Sequence, residues 1–208
     1  MNISDYLAEI GHAVETVVSE IYRERDALAE TQAELDRLTV ATRDGYRRAE
    51  FLAMNPDLDD EGLGTAIHWD TYFGVDKERH NKGAEQEQLV QRLAARQFST
   101  AALSGSLLQY GKQGISLRYG KKKAGCPDGR IVSGIPLAEV IWQARNQALH
   151  WEDGSFHDPT TTCFKHLAEN ANPVFSEFTE RSMAFEIVEL LGWNEVGAFF
   201  ADMKLLDS

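Results

Sequence analysis

From Ser4 to Met54 the chain contains no proline, and its apolar residues return at heptad spacing: Leu7, Val14, Ile21, Leu28 and Leu35 in one column, Ile10, Val17 and Leu38 in the other. That pattern confines the segment to one long amphipathic helix with a narrow apolar seam, with Gly45 as a candidate break. Glu24 and Thr31 interrupt the second column. The helix is therefore expected to lie against a bundle, or against a second copy of itself, rather than to form a free coiled coil.

Asn55-Pro56 and the acidic run Asp57, Asp59, Asp60 and Glu61 end this stretch, and Gly62, Gly64, Gly74 and Gly83 punctuate the next. Residues 55–84 read as an irregular connector with one short helix around Ala66 to Phe73. His68, Asp70, Asp76 and His80 fall here, but at no spacing that a metal site requires. A second long helix is expected from about Glu85 to Ile115. Its candidate buried face holds Leu89, Leu93, Phe98, Ala101, Ala102, Leu107 and Leu108, and Gly105 between Ser104 and Ser106 predicts close approach of a neighbouring helix.

The glycine-rich segment Gly111 to Gly134 reads as a loop. Helices resume at Pro136, which suits a first turn, and run to near Trp151. Others are expected from Pro159 behind Asp158, from Ser176 to Leu191 before Gly192, and from Glu195 to Leu206. Phe175, Phe178, Phe185, Phe199 and Phe200 are placed in the core. No stretch alternates with period two. The expected fold is all-α: a bundle of five or six helices over 85–208, with 1–54 as a long helical extension.

The charge of −12 arises from 21 basic and 33 acidic side chains, a balance unfavourable to polyanions. Its distribution is uneven. Residues 112–149 carry seven Lys and Arg against two acids. Lys112, Arg118, Lys121, Lys122, Lys123 and Arg130 are the candidate RNA-binding set. Cys126 and Cys163 are too few for a disulfide framework or a four-thiolate zinc site. With no long apolar run and with Asp5 and Glu9 near the start, a cytoplasmic protein without a membrane partner is expected.

The helix Pro136 to Trp151 carries a core stripe of Leu137, Val140, Ile141, Ala144, Ala148 and Trp151. Roughly opposite lies a smaller apolar face of Trp142 and Leu149, flanked by Arg145, Asn146 and His150. His exchanges protons near neutral pH, Arg clamps phosphate, and Asn orients either. RNA brings its own nucleophile, the 2′-hydroxyl. Arg145 and His150 stand about 140° apart round the helix, so a shared groove at a two-fold axis would unite them.

Arg145-Asn146-Gln147-Ala148-Leu149-His150, preceded by Leu107-Leu108-Gln109-Tyr110-Gly111-Lys112-Gln113-Gly114-Ile115-Ser116, resembles the signature of the HEPN (higher eukaryotes and prokaryotes nucleotide-binding) superfamily. The resemblance covers mainly residues 85–208. It implies a homodimer with both motifs at the interface and a metal-independent endoribonuclease, leaving a 2′,3′-cyclic phosphate and a 5′-hydroxyl. His150 would act in acid–base catalysis, Arg145 would contact the scissile phosphate, and Asn146 would support the geometry, with no cofactor. It also implies a toxin or defence setting with an antitoxin or regulatory partner.

Two other classes compete. A non-catalytic helical interaction protein would keep the motif as structure, and a metal-dependent hydrolase would use His150, Glu152, Asp153 and His157. The spacing of that last set fits no standard site, and its carboxylates are equally suited to bonding a neighbouring imidazole. Ser104 and Ser106 lack a base partner in sequence. Cys163, near Lys165 and His166, reads as a buried thiol.

Overall fold

The computed structural model describes residues 1–55 and 76–207. The expected helix at 66–73, His68 and Asp70 lie outside the described residues, as do the side chains of Asp76 and His80. The architecture is all-α. Its elements in chain order are α1 (Ile3–Met54), α2 (Asp76–Tyr119), the two-residue strands β1 (Ile131–Val132) and β2 (Ile135–Pro136), α3 (Leu137–His150), α4 (Asp158–Asn170), α5 (Ala184–Leu191) and α6 (Val196–Lys204). Short 3-10 turns occupy Trp151–Asp153 and Pro173–Thr179. No helix of the described residues is long and apolar enough to cross a membrane.

Helix α1 passes Gly45 without a break. Helix α2 starts ahead of the expected Glu85 and continues beyond Ile115, so Gly111, Lys112, Gly114 and Arg118 are helical, where a loop was expected. The reason is packing. A Cβ on Gly111 would stand 3.1 Å from Ile141 Cγ2, and one on Gly114 would stand 3.0 Å from Met203 Cε. These glycines let α2 approach its neighbours closely, and the buried contacts outweigh their poor helix propensity of about 1 kcal/mol each.

The chain divides into two compact units, one of Met1–Arg25 with Phe98–Ser208 and one of Asp26–Gln97. Both boundaries fall within the long helices rather than at 54 and 85. In the second unit Leu89 is buried, while Val40, Phe51, Met54 and Val90 are exposed.

The first unit holds the main core. Ile3, Tyr6, Leu7, Val14, Val18 and Ile21 of α1 are all buried there, a face broader than a coiled-coil seam and suited to a helix laid on a bundle. The far end of the chain caps this helix. The Asp207 carboxylate accepts from Ile3 N and Ser4 N, both at 2.9 Å, and from Ser4 Oγ at 2.8 Å. These bonds satisfy amides that lack partners at any helix start. Partial burial opposes the Asp207 charge, but the three hydrogen bonds and Arg118 prevail and hold its carboxyl below the usual range.

Between α2 and α3 the chain turns back through a hairpin that pairs Ile131 with Pro136 and Val132 with Ile135. Ser133 (φ 47) and Gly134 (φ 89) supply the positive angles of its tight turn. His166 Nε2 lies 2.9 Å from Ser133 O and braces it. Arg130, just before β1, makes a two-pronged ion pair with Asp202 at 2.7 and 2.8 Å, and bonds Leu191 O at 2.7 Å. Trp193 Nε1 donates to the same carboxylate at 2.8 Å.

Phe175, Phe178 and Phe199 are buried as expected, and Phe185 and Phe200 pack against them partly covered. Asp158 is the first residue of α4 rather than its cap, a place taken by His157. The helix expected over 176–191 is divided. Asn172 Oδ1 caps the 3-10 turn from Pro173 through Val174 N, and α5 then runs to Gly192, which ends it in the left-handed conformation.

Candidate nucleic-acid interface

Helices α2 and α3 lie antiparallel, and their facing residues form a simple register. A Cβ on Gly105 would touch Ala148 Cβ at 3.7 Å, so the small residues do admit a close neighbour. Further along, Gln109 meets Arg145, Lys112 meets Trp142 and Gly111 meets Ile141. On α3, Leu137, Val140, Ile141 and Ala144 are buried, with Ala148 and Trp151 partly covered, as the core stripe predicts. The other side carries the motif. Trp142, Arg145 and Asn146 are half-buried there, and Leu149 is 49% exposed.

Arg145 is held by a single strong contact, from its Nε to Gln109 Oε1 at 2.6 Å. Its Nη1 reaches Asn146 Oδ1 only at 3.5 Å, and Asn146 Nδ2 reaches Gln143 Oε1 at the same length. Among the described residues no carboxylate pairs with Arg145. Burial without a counter-charge pulls its guanidinium below the usual arginine range. His150 stands apart from these two. Its Nδ1 lies 3.3 Å from Asp153 Oδ2, and its side chain is 57% exposed. The Asp153 carboxylate thus takes the role expected of an acid beside the imidazole, and Nε2 has no protein partner among the described residues. No three His, Cys, Asp or Glu side chains of the described residues gather as a metal site would require.

The six basic candidates separate into two groups. Arg130 is corrected to a structural residue, because Asp202 takes up its guanidinium and strengthens its hold on the proton. Arg118 lies on α2, 3.7 Å from Asp207 and over the Tyr119 ring, where it supports the cap of α1. Lys123 forms an ion pair with Glu139. Burial disfavours the Glu139 charge, yet hydrogen bonds from Lys123 and Gln143, with the lysine charge, hold that carboxyl below its ordinary value. Lys112, Lys121 and Lys122 have no carboxylate partner among the described residues. Lys112 Nζ sits 4.8 Å from the Trp142 ring centroid, and burial together with Arg145 and Lys121 pulls its ammonium down.

Gln147, inside the motif, serves the fold. Its amide donates to Phe178 O at 2.7 Å and Arg181 O at 2.8 Å and accepts from Met183 N at 2.9 Å, wholly buried. Gln143 likewise accepts from Thr160 Oγ1 at 2.7 Å. Phe98, expected on a buried face, is 71% exposed and lines an open groove of about 410 Å³ with Glu20, Glu24 and Leu103. Cys163 is buried, and that burial raises its thiol to about 12. Comparison of the chain with protein-family models, with curated proteins and with solved structures gives no match.

Proposed function

We propose that the chain is a homodimeric, metal-independent endoribonuclease of HEPN type, with Arg145, Asn146 and His150 at its site. One observation carries the reading: Arg145 and Lys112 form a half-buried cationic pair without a counter-charge among the described residues, and the helix that bears Arg145 ends in an exposed His150 backed by Asp153. Uncompensated cations of this kind suit a phosphate, which would supply the missing charge. The metal-free course rests on the resemblance of the motif.

In the proposed reaction the 2′-oxygen attacks the adjacent phosphorus and the bond to the 5′-oxygen breaks. A 2′,3′-cyclic phosphate and a 5′-hydroxyl result. His150 Nε2 of one copy takes the 2′-hydroxyl proton, and the same atom of the second copy gives a proton to the departing 5′-oxygen. Asp153 orients each ring and stabilises it when protonated. Arg145 bonds the non-bridging oxygens, whose charge grows in the transition state. Leu149, exposed between Arg145 and His150 in sequence, supplies apolar surface for the two-fold contact.

Purified protein incubated with RNA in EDTA tests this reading beside His150→Ala. Wild type should leave cyclic-phosphate ends, and the variant should lose about 10²- to 10⁴-fold in rate. Intact RNA with both proteins, or equal cutting by both, would overturn it.

A second reading, helical interaction without catalysis, is favoured by the exposed Phe51, Met54 and Val90 of the second unit. Removal of 1–54 cannot test it, because Ile3 to Ile21 belong to the core. Replacing 26–97 with a short linker can, since Glu24 and Phe98 line one groove and lie close together. That reading expects partner binding to vanish while His150→Ala leaves it intact.

A further inference from the structure

We propose that Lys112 is a second phosphate-binding cation of this site, with Gln109 and Trp142 as positioning residues for Arg145 and Lys112, and that the ligand is the backbone of single-stranded RNA. The proposal rests on the RNA reading above. It also makes a claim about α2 that the motif in α3 does not contain.

Gln109 and Lys112 are three residues apart on α2, and Trp142 and Arg145 are three apart on α3. Such pairs are neighbours on one helix face. The antiparallel register then sets the two pairs side by side, Gln109 against Arg145 and Lys112 against Trp142. Each cation is held by a neutral group. The Gln109 carbonyl oxygen takes only the Nε hydrogen of Arg145, and with Nη1 in no more than a 3.5 Å contact to Asn146 Oδ1, most of the Nη hydrogens are left for a ligand. The Trp142 ring holds the Lys112 ammonium without neutralising it.

A carboxylate at either place would have given a more comfortable ion pair. Arg130 has one in Asp202 and Lys123 has one in Glu139, so the fold supplies acids where a basic group serves structure. At Lys112 and Arg145 it supplies an amide and a ring. Two cations so restrained share a need for one anion, and a phosphodiester has two non-bridging oxygens to meet it. Lys121, exposed and near enough to disfavour the Lys112 charge, would extend the track to the next phosphate.

The test is binding of a short 2′-O-methyl oligoribonucleotide, which cannot be cleaved by 2′-oxygen attack, followed by fluorescence anisotropy across a salt series. Lys112→Gln should weaken binding several-fold and lower the slope of log affinity against log salt by about 0.7, as loss of one phosphate contact to a single strand requires. Lys112→Arg should restore most of both. Gln109→Glu places a carboxylate on Arg145 and should weaken binding at least as much without lowering Tm, an outcome that a purely structural glutamine would not produce. Lys204→Gln, exposed on α6, is the control and should leave the slope unchanged.

The proposal is overturned if Lys112→Gln and Lys204→Gln behave alike, or if the wild type does not bind the oligomer. Binding that depends on Lys112 in a wild type unable to cut RNA upholds the clamp and removes the nuclease. Cutting with an unchanged KM in Lys112→Gln removes the clamp and leaves the nuclease.

Discussion

Arg130 and Arg145 are both half-buried guanidinium groups, one before α3 and one within it, yet their surroundings act on them in opposite directions. Asp202 meets Arg130 with two hydrogen bonds and raises its affinity for the proton, whereas Arg145 has an amide for a partner and burial lowers its affinity. A cation that is fully answered within the chain holds the fold together. One that is desolvated and unanswered costs stability and gains its counterpart from a ligand. The Asp202 corner is accordingly a structural site and the α2–α3 face the proposed binding site, although both belong to one basic stretch of sequence.

The largest effect expected is at a residue that shares the motif but belongs with the structural corner. Gln147→Leu would strand the Phe178 and Arg181 carbonyls and the Met183 amide in the interior. It should cost about 3–9 kcal/mol, at about 1–3 for each of these three groups, as read by urea unfolding. Asp202→Ala removes the partner of both Arg130 and Trp193 and should cost about 2–4 kcal/mol. Arg145→Ala, measured the same way, should change stability by less than about 1 kcal/mol while abolishing RNA binding. Equal losses in Asp202→Ala and Arg145→Ala would erase the distinction between the two arginines.

Within the loop the same contrast predicts unequal lysines. Lys121→Gln should weaken RNA binding about two- to fivefold, and Lys123→Gln should weaken it less, because Glu139 already answers the Lys123 charge. Titration by anisotropy at fixed salt distinguishes them. A pH effect of a different kind concerns Cys163. Burial raises its folded value to about 12 from an ordinary thiol value of 9.0, so above pH 9 the unfolded chain releases a proton that the folded one retains. Stability should therefore fall as pH rises from 9 towards 12, by up to about 1.4 kcal/mol per pH unit. Cys163→Ala should lack that part of the slope.

The all-α class, the helix boundaries at Pro136 and Gly192, the core phenylalanines and the stripe on α3 were legible because each depends on local periodicity or on a residue that starts or stops a helix. Gly111 and Gly114 misled for the same reason. As isolated residues they mark a loop, and only the Ile141 and Met203 side chains packed against them explain why the helix continues. Gln109, Gln143 and Gln147 gave no local signal at all. An amide has no typical spacing, and its role appears only when the group it bonds is known.

The sequence by itself determined the long proline-free helix, the helical bundle, the basic stretch between two acidic regions and the Arg145-to-His150 motif, because these are properties of order along the chain. The tertiary structure decided which cations are spent and which are free. Asp202 lies 72 residues from Arg130 and Gln109 lies 36 from Arg145, and whether a charge is answered depends on distance in space, which helix packing sets and spacing along the chain does not.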